Sequence, residues 1–362
     1  MAAPVAGIAT AIVAVLSVVD FSAETVNGAF PFPARRRMVE PLSARPGSLV
    51  LGSSSMIISC GEALIDFLPR TGADGSAVFQ PATGGSPMNV AVATARLGAK
   101  AGFFGGLSTD FFGDMLRQAL SDSGVDLSFV ANVERPTTLA FVKLENGDAR
   151  YAFFDENSAG RMLTEADLPA FPKTVAALHF GSFSLAAEPC GSALEALMKR
   201  EQKDRVITLD PNIRPTLVRN RDGYLARLDR LVAMVDVARL SEDDLAWIAP
   251  DTDFESLGRR WLDLGARVVI LTRGGEGATA ITANHAVSVP GITANVVDTV
   301  GAGDTFTAGF LARLDALGSL TKAAVAKLNR EKLTDVLTFA TRAAAVTVSR
   351  AGANPPWLKE IV

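Results

Sequence analysis

The stretch from Asp298 to Asp304 reads Asp-Thr-Val-Gly-Ala-Gly-Asp, and it places small residues and carboxylates directly before an apolar pattern. Apolar residues then recur at helical spacing, which predicts a helix beginning near Ala302: Phe306, Phe310, Leu311, Leu314 and Leu317. The first N–H groups of a helix lack intrahelical partners and, with the helix dipole, favour a bound phosphate. Asp304 is then placed to take a proton from a hydroxyl that attacks this phosphate.

A simpler interpretation of this stretch is that Asp298 or Thr299 caps the helix and that the glycines form a turn. The complete string is more specific than Gly-x-Gly, and it resembles the PfkB (ribokinase-like) family of carbohydrate kinases. In that family the corresponding aspartate is the catalytic base and the preceding Gly-Ala-Gly amides form an anion hole. The resemblance therefore assigns the base to Asp304 and the anion hole to Gly301, Ala302 and Gly303.

Two earlier motifs carry the polar groups that a polyhydroxylated substrate needs. The sequence Gly-Gly-Ser-Pro-Met-Asn-Val-Ala begins at Gly84, and on its own it predicts a helix capped by Ser86 with proline at its first position. It also resembles the first PfkB signature in its fructokinase-like form, which implies that Gly84, Gly85 and Asn89 contact the sugar. Asp66, in a stretch similar to the family's opening strand, is either a sugar ligand or a surface residue on a lid.

Three further segments are assigned by the same resemblance. The Asp-Pro-Asn-Ile-Arg-Pro segment is similar to that of fructokinase-like and ketodeoxygluconate-kinase-like members, which implies that Arg214 binds the sugar and Asn212 the nucleotide phosphates. Ser-Glu-Asp-Asp at 241–244 stands where many relatives have Asn-x-x-Glu, so Asp244 is interpreted either as a magnesium and phosphate ligand or as part of a capping box. A potassium ion near the anion hole would lie beside Asp298 and Ser349.

The Thr-Arg-Gly-Gly-Glu-Gly segment resembles the family's nucleotide-binding segment, which implies that Thr272, Gly274 and Gly277 contact ATP. The overlapping glycines also fit a loose dinucleotide fingerprint, which needs a helix immediately afterwards. The sequence predicts two short strands there instead. It contains neither the Gly-x-x-x-x-Gly-Lys-Ser/Thr phosphate loop nor the catalytic string of protein kinases.

Short apolar strands alternate with helical patterns along the chain, which predicts an α/β fold with a mostly parallel central sheet between helices. Strands are predicted at 57–60, 101–104, 176–180, 205–209, 235–239 and 267–272, and helices at 87–97, 110–121, 191–200, 224–234 and 253–264. An Asn-Gly turn predicts a hairpin of 138–144 with 150–154. The segments 64–83 and 137–155 are expected to form a small β lid, which in the family covers the sugar, excludes water and offers a surface for a homodimer.

Composition limits the classes of function. A formal net charge of −4 gives no electrostatic reason to expect nucleic acid or an acidic membrane surface as a partner. Only two cysteines and two histidines are present, and their spacing favours structural roles over disulfides or a zinc site. Residues 1–55 differ from the rest and are interpreted as a disordered extension, a targeting peptide or sequence read from too early a start, leaving a kinase domain over 56–362 that is expected in the cytoplasm.

Taken with the resemblance, these motifs predict an ATP-dependent sugar kinase of the fructokinase-like kind, with Mg²⁺ and a K⁺ site. A kinase for 2-keto-3-deoxygluconate or another ketose is an alternative within the class, because a few hydroxyl contacts decide specificity. A sugar- or nucleotide-binding protein without catalysis and a dinucleotide-dependent oxidoreductase are alternatives from other classes. The intact Asp304 argues against the first of these, and the strands expected after Gly277 argue against the second.

Overall fold

A computed structural model describes residues 55–145 and 148–361 of the chain. The strands are β1 (Met56–Cys60), β2 (Leu64–Thr71), β3 (Ala77–Gly84), β4 (Lys100–Phe104), β5 (Gly106–Ser108), β6 (Ala131–Val133), β7 (Thr138–Glu145), β8 (Asp148–Phe154), β9 (Val175–Gly181), β10 (Val206–Asp210), β11 (Val237–Ser241), β12 (Val268–Thr272), β13 (Ala278–Ile281) and β14 (Ala286–Val289). The helices are α1 (Ser86–Arg96), α2 (Phe111–Asp122), α3 (Cys190–Glu201), α4 (Arg221–Val232), α5 (Glu242–Ile248), α6 (Phe254–Leu264), α7 (Ala302–Ala316), α8 (Lys322–Val325) and α9 (Arg330–Val348).

The central sheet has the order β14-β13-β12-β11-β10-β9-β1-β4. The strands from β12 to β4 run parallel, and the hairpin of β13 and β14 adds two antiparallel strands at one edge. Successive residues of a strand face opposite sides of a sheet, and Ile57 and Ile58 illustrate this for β1. Ile57 packs in the cluster formed with α7 and α9, whereas Ile58 packs with α3, α4 and α6. Both faces of the sheet are therefore covered by helices.

A separate sheet, called the lid sheet below, has the order β3-β2-β7-β8. Within it β2 pairs with β7 in parallel and with β3 in antiparallel register, so that Asp66 lies opposite Ala82 and Ala140. Only the short segment between Cys60 and Leu64 separates β1 of the central sheet from β2 of the lid sheet. The lid sheet therefore begins directly at the carboxyl end of a central strand.

The alternation of strands and helices and the small second sheet confirm the predicted α/β architecture. Most boundaries differ from the predicted ones by one to three residues, and the strand predicted at 235–239 is β11, Val237–Ser241. The long α9 and the small β5–β6 pair were not predicted. The predicted Asn-Gly turn at residues 146 and 147 lies outside the described residues. The segment 1–55, for which three interpretations were given, also lies outside them except for Ser55.

Both cysteines and His179 lie in the interior of the fold. Cys60 and Cys190 are buried free thiols. His179 is fully buried, its Nδ1 lies 3.0 Å from Thr208 Oγ1, and burial lowers its pKa to about 3, so the ring is neutral. Within the described residues, no helix is both long and apolar enough to cross a bilayer.

Candidate active site

The amino-terminal end of α7 is open toward a ligand. Gly301 precedes the helix with φ 76°, and no side chain of the described residues caps the first turn. A β-carbon on Gly301 would lie 2.7 Å from the β-carbon of Ala353, so both the backbone conformation and the neighbour require glycine. Neither Asp298 nor Thr299 caps the helix, and the simpler interpretation of this motif was wrong. The N–H of Ala302 donates a hydrogen bond of 3.3 Å to Thr299 O, whereas those of Gly303 and Asp304 have no acceptor among the described residues, as an anion hole needs.

Asp304 lies in the first turn of α7 and is only 7% exposed. Its Oδ1 accepts a hydrogen bond of 2.6 Å from Ser86 Oγ, and its Oδ2 accepts one of 2.8 Å from Asn89 Nδ2. Burial raises the pKa of Asp304, opposed by these two hydrogen bonds and by the charges of Arg214 and Arg239. A carboxylate with this environment is suited to accept a proton near neutral pH.

The helix α1 supplies both partners of Asp304. Its cap is Gly85, without a side-chain hydrogen bond, and Ser86 is the first residue of the helix with Pro87 second. The prediction of Ser86 as the cap was therefore wrong, because the hydroxyl points to Asp304 instead. The signal for this contact was absent from the local sequence, since Ser86 and Asp304 are 218 positions apart.

The lid sheet contributes Asp66 from β2. A β-carbon on Gly84, which lies opposite Leu64 on the neighbouring strand, would approach Asp66 Oδ2 to 2.3 Å. Glycine at 84 thus leaves the space that the carboxylate occupies. Burial raises the pKa of Asp66 to about 6, and the positive charge of Arg214 opposes this shift. Asp66 and Arg214 therefore place an acidic and a basic side chain on the wall of the same cavity.

A cavity of about 400 Å³ joins the lid sheet to the start of α7. Of the residues predicted to act in function, it brings together Asp66, Gly85, Asn89, Asn212, Arg214, Asp244, Gly301, Gly303 and Asp304. A second cavity of about 370 Å³ lies on the other side of the helix start and is lined by Thr272, Gly274, Gly277, Ala302 and Gly303. Thr299, Gly303 and Arg239 line both cavities. The anion hole is therefore the place where the two spaces meet.

The side chains of Asn212 and Asp244 accept hydrogen bonds from neighbouring residues of the site. Asn212 Oδ1 accepts a hydrogen bond of 2.7 Å from Arg214 Nη1. Asp244 forms the capping box of α5, since its Oδ2 accepts hydrogen bonds from the backbone N and Oγ of Ser241 at 2.9 and 2.6 Å. Its Oδ1 accepts a hydrogen bond of 2.8 Å from Ile213 N. The capping interpretation is confirmed, while Asp244 still lines the first cavity.

Asp298 fastens the segment before α7 to the chain end beyond α9. Its Oδ1 accepts a hydrogen bond of 3.0 Å from Val300 N, and its Oδ2 accepts one of 2.8 Å from Gly352 N. The hydroxyl of Ser349 donates to Val346 O at 2.7 Å. Within the described residues there is no cluster of three His, Cys, Asp or Glu side chains that could hold a metal ion.

Sequence reasoning missed Arg239, which projects from β11 and is 8% exposed. Its Nη1 donates a hydrogen bond of 2.7 Å to Asp210 Oδ2, and its Nη2 donates to Thr272 Oγ1. An arginine inside the apolar strand Val-Ala-Arg-Leu-Ser was the available signal, because a buried charge needs a partner or a function.

Comparison with known proteins agrees with this geometry. The model for pfkB family carbohydrate kinases matches residues 54–360. A fructokinase of Rhizobium leguminosarum bv. trifolii is 48% identical over 278 residues, which cover 77% of this chain and 85% of the relative.

Solved structures give the same result for the fold. The fructokinase of Xylella fastidiosa with bound ATP superposes with a TM-score of 0.79 at 28% identity, covering 85% of this chain and 97% of that one. A fructokinase double mutant of Vibrio cholerae O395, in fructose, ADP and potassium ion bound form, gives 0.74 at 29% identity over 83% of this chain and 94% of the other. The resemblance in the motifs and the ribokinase-like fold are confirmed, and the chain belongs to the PfkB family of carbohydrate kinases.

Proposed function

We propose that the protein transfers the γ-phosphoryl group of ATP to a hydroxyl of fructose, with Asp304 as the general base. The observation that carries this proposal is the position of Asp304, which lines the first cavity beside Gly303, a residue that lines both cavities, and which accepts a hydrogen bond from Asn89. The first cavity has the polar groups for a sugar, and the second has the glycine-rich wall for a nucleotide. The similarity to fructokinases supports fructose as the acceptor.

In this proposal the sugar is oriented by Asp66 and Arg214 on one side and by Asn89 on the other. The backbone of Gly85 leaves room for the hydroxyls, and Gly84 leaves room for the Asp66 carboxylate that orients them. Asp304, held by Ser86 and Asn89, exchanges one of these hydrogen bonds for the sugar hydroxyl and receives its proton. The hydroxyl oxygen then bonds to the γ-phosphorus, while the bond from that phosphorus to the β,γ-bridging oxygen breaks and its electron pair leaves with ADP.

The N–H groups at Gly301, Ala302 and Gly303 stabilise the negative charge of the phosphoryl group during transfer. Thr272, Gly274 and Gly277 border the space for the nucleotide. Asn212, which lines the first cavity, contacts the nucleotide phosphates in this proposal, and its Oδ1 also accepts a hydrogen bond from Arg214 Nη1. The lid sheet limits the access of water, which would otherwise accept the phosphoryl group.

Mg²⁺ accompanies ATP in the proposal, and it usually takes one or two carboxylates together with phosphates and waters. Asp243 and Asp244, which line the first cavity from the first turn of α5, are the acids that fit this demand. The ion supplies charge neutralisation at the phosphates. For K⁺ we propose the loop that Asp298 fastens to Gly352 as the segment that would hold the ion. Replacing K⁺ by Li⁺ should then lower activity at a fixed Mg²⁺ concentration.

Arg214 favours a second candidate within the same class. A cation in the sugar cavity suits the carboxylate of 2-keto-3-deoxygluconate as well as the hydroxyls of fructose. Arg214→Met distinguishes the two candidates. Loss of the cation should weaken binding of an acidic sugar more than binding of a neutral one. A kinetic comparison of both sugars with the wild type and this variant separates them.

The proposal extends to a homodimer formed through the lid sheet and to a cytoplasmic location. Several large apolar side chains of the lid sheet are exposed, which supports a covered surface there: Val78, Phe79, Tyr151 and Phe154. Sedimentation of the wild type and of Phe79→Ser tests the dimer, and a monomeric wild type contradicts it.

An ATP-coupled assay over fructose, ribose and 2-keto-3-deoxygluconate tests the function. We expect the highest kcat/KM with fructose. Asp304→Asn should reduce kcat by about 10²–10⁴-fold, the usual contribution of a general base, while fructose and ATP still bind. Phosphorylation of none of the sugars would overturn the proposed function, and wild-type turnover by Asp304→Asn would overturn the role of the base.

A further inference from the structure

The guanidinium of Arg239 lies against the anion hole. A β-carbon built on Gly303 would lie 2.8 Å from Arg239 Nη1 and 2.9 Å from Nη2. The bare backbone at Gly303 therefore makes room on two sides, for a phosphate and for this guanidinium. Because Arg239 lines both cavities, its charge lies where a group would pass from one space to the other.

Most donors of Arg239 remain without a protein acceptor. A guanidinium carries five N–H donors. Among the described residues it makes two hydrogen bonds, one to Asp210 and one to Thr272, and the buried Nε has no partner. Leaving a buried donor unpaired is costly, so a site with such donors beside an anion hole is suited to an anionic ligand.

Two neighbours hold the guanidinium in one place. Asp210, at the end of β10, is 1% exposed, and its Oδ2 accepts from Arg239 Nη1. Thr307 of α7 also lies near this oxygen, with its Oγ1 at 3.4 Å. The ion pair thus connects β10, β11 and α7 at one point. A cation positioned before the reaction requires little reorganisation during it.

We propose that Arg239 contacts the phosphoryl group during its transfer, with Asp210 and Thr272 as the positioning residues. This inference rests on the proposed function of the site. As the hydroxyl oxygen bonds to phosphorus and the bridging oxygen leaves with its electron pair, negative charge spreads over the phosphoryl oxygens. Arg239 donates hydrogen bonds to these oxygens and keeps its own protons, while Asp304 takes the proton of the hydroxyl.

The central test is the variant Arg239→Met, measured by steady-state kinetics with fructose and ATP. We expect kcat to fall on the order of 100-fold, as for the loss of one transition-state donor, with little change in the KM for fructose. Arg239→Lys keeps the charge and should recover a large part of kcat. Guanidinium added to the Arg239→Met enzyme should restore part of the lost activity.

Two control variants separate this role from a structural one. Arg205→Met removes a second arginine that is 8% exposed and paired to a carboxylate, Glu201 at 2.7 Å, and it should leave kcat unchanged. Asp210→Asn combined with Arg239→Met removes both charges of the ion pair, so that no buried carboxylate remains unpaired. This double variant should recover thermal stability and stay slow.

A second measurement does not depend on turnover. Binding of ADP with aluminium fluoride and fructose, a mimic of the transferring phosphoryl group, should weaken in Arg239→Met, whereas binding of ADP alone should remain. Wild-type kcat in Arg239→Met, or full recovery of kcat in the double variant, would overturn the role of Arg239. A wild type that phosphorylates no sugar would instead overturn the proposed function, so the two failures are distinct.

Discussion

The hydroxyl of Ser86 donates a hydrogen bond of 2.6 Å to Oδ1 of Asp304, across 218 positions of the chain. Together with the bond from Asn89, it means that both oxygens of the proposed base are held by one helix, α1. A base held from both sides keeps its orientation, and its proton affinity depends on these donors.

Removal of the Ser86 hydroxyl should shift the pH profile of the enzyme. This hydrogen bond lowers the pKa of Asp304 against the raising effect of burial, so Ser86→Ala should raise that pKa further. The acidic limb of kcat/KM should then move to higher pH. Thr94→Ala removes from the same helix a buried hydroxyl that has no hydrogen-bond partner in the described part of the chain, and it should leave the profile in place. An unshifted limb in Ser86→Ala would contradict the proposed coupling.

Fructose binding should weaken as the pH falls through about 6, the pKa to which burial raises the carboxyl of Asp66. Below that pH the folded protein holds a proton there and the carboxyl group is a weaker acceptor for sugar hydroxyls, so the KM for fructose should rise. Because the folded state binds this proton more tightly than the unfolded chain, protonation also adds stability as pH decreases. Asp66→Asn should have a high KM without this pH dependence, and a wild-type KM that is flat across pH 6 would refute the assignment.

Alanine at Gly301 should impair ATP use more than alanine at Gly318, although both glycines flank α7 with positive φ. The left-handed backbone costs alanine about 1–2 kcal/mol at either position. Gly301→Ala must also displace Ala353, whereas a β-carbon on Gly318 meets nothing within 4 Å. We expect a raised KM for ATP only in Gly301→Ala, measured beside urea unfolding of both variants. Equal kinetics in the two would indicate that the turn at Gly301 does not shape the anion hole.

The two functions considered for Asp244 predict different behaviour. Ser241→Ala removes one partner of the capping box and should lower the free energy of unfolding by about 1 kcal/mol without changing the Mg²⁺ requirement. Asp244→Asn should raise the Mg²⁺ concentration for half-maximal activity severalfold, since an amide binds the ion less well. Magnesium titrations of both variants decide this, and an unchanged requirement in Asp244→Asn would leave the residue with its capping role alone.

The sequence predicted those parts of the site that lie within single motifs. Gly301, Gly303 and Asp304 could be placed because a glycine turn, a carboxylate and a helical stripe follow one another. The contacts of Ser86 and Arg239 could not be predicted in this way, since each depends on elements brought together from distant parts of the chain. Ser86 also satisfied a local rule for helix caps, and that rule gave the wrong partner.

For the fold, too, local patterns predicted some elements and missed others. Strands of the central sheet were predicted because their apolar runs are short and bounded by turns. The long α9 was not, although Leu333, Val336, Leu337 and Ala340 recur at helical spacing and are buried. Apolar runs predict that a strand exists but not where it ends, so β11 begins at Val237 and not at the predicted residue 235.

The position of β1 has a consequence for synthesis. This strand leaves the ribosome before the rest of the described domain, yet it lies between β4 and β9, and β9 begins only at Val175. Contacts between distant segments form slowly, and nascent domains with unpaired strands expose apolar surface. One edge of β1 can pair with β4 early in synthesis, whereas its other edge stays without a partner until β9 has been made, and that edge is exposed on the nascent chain until then.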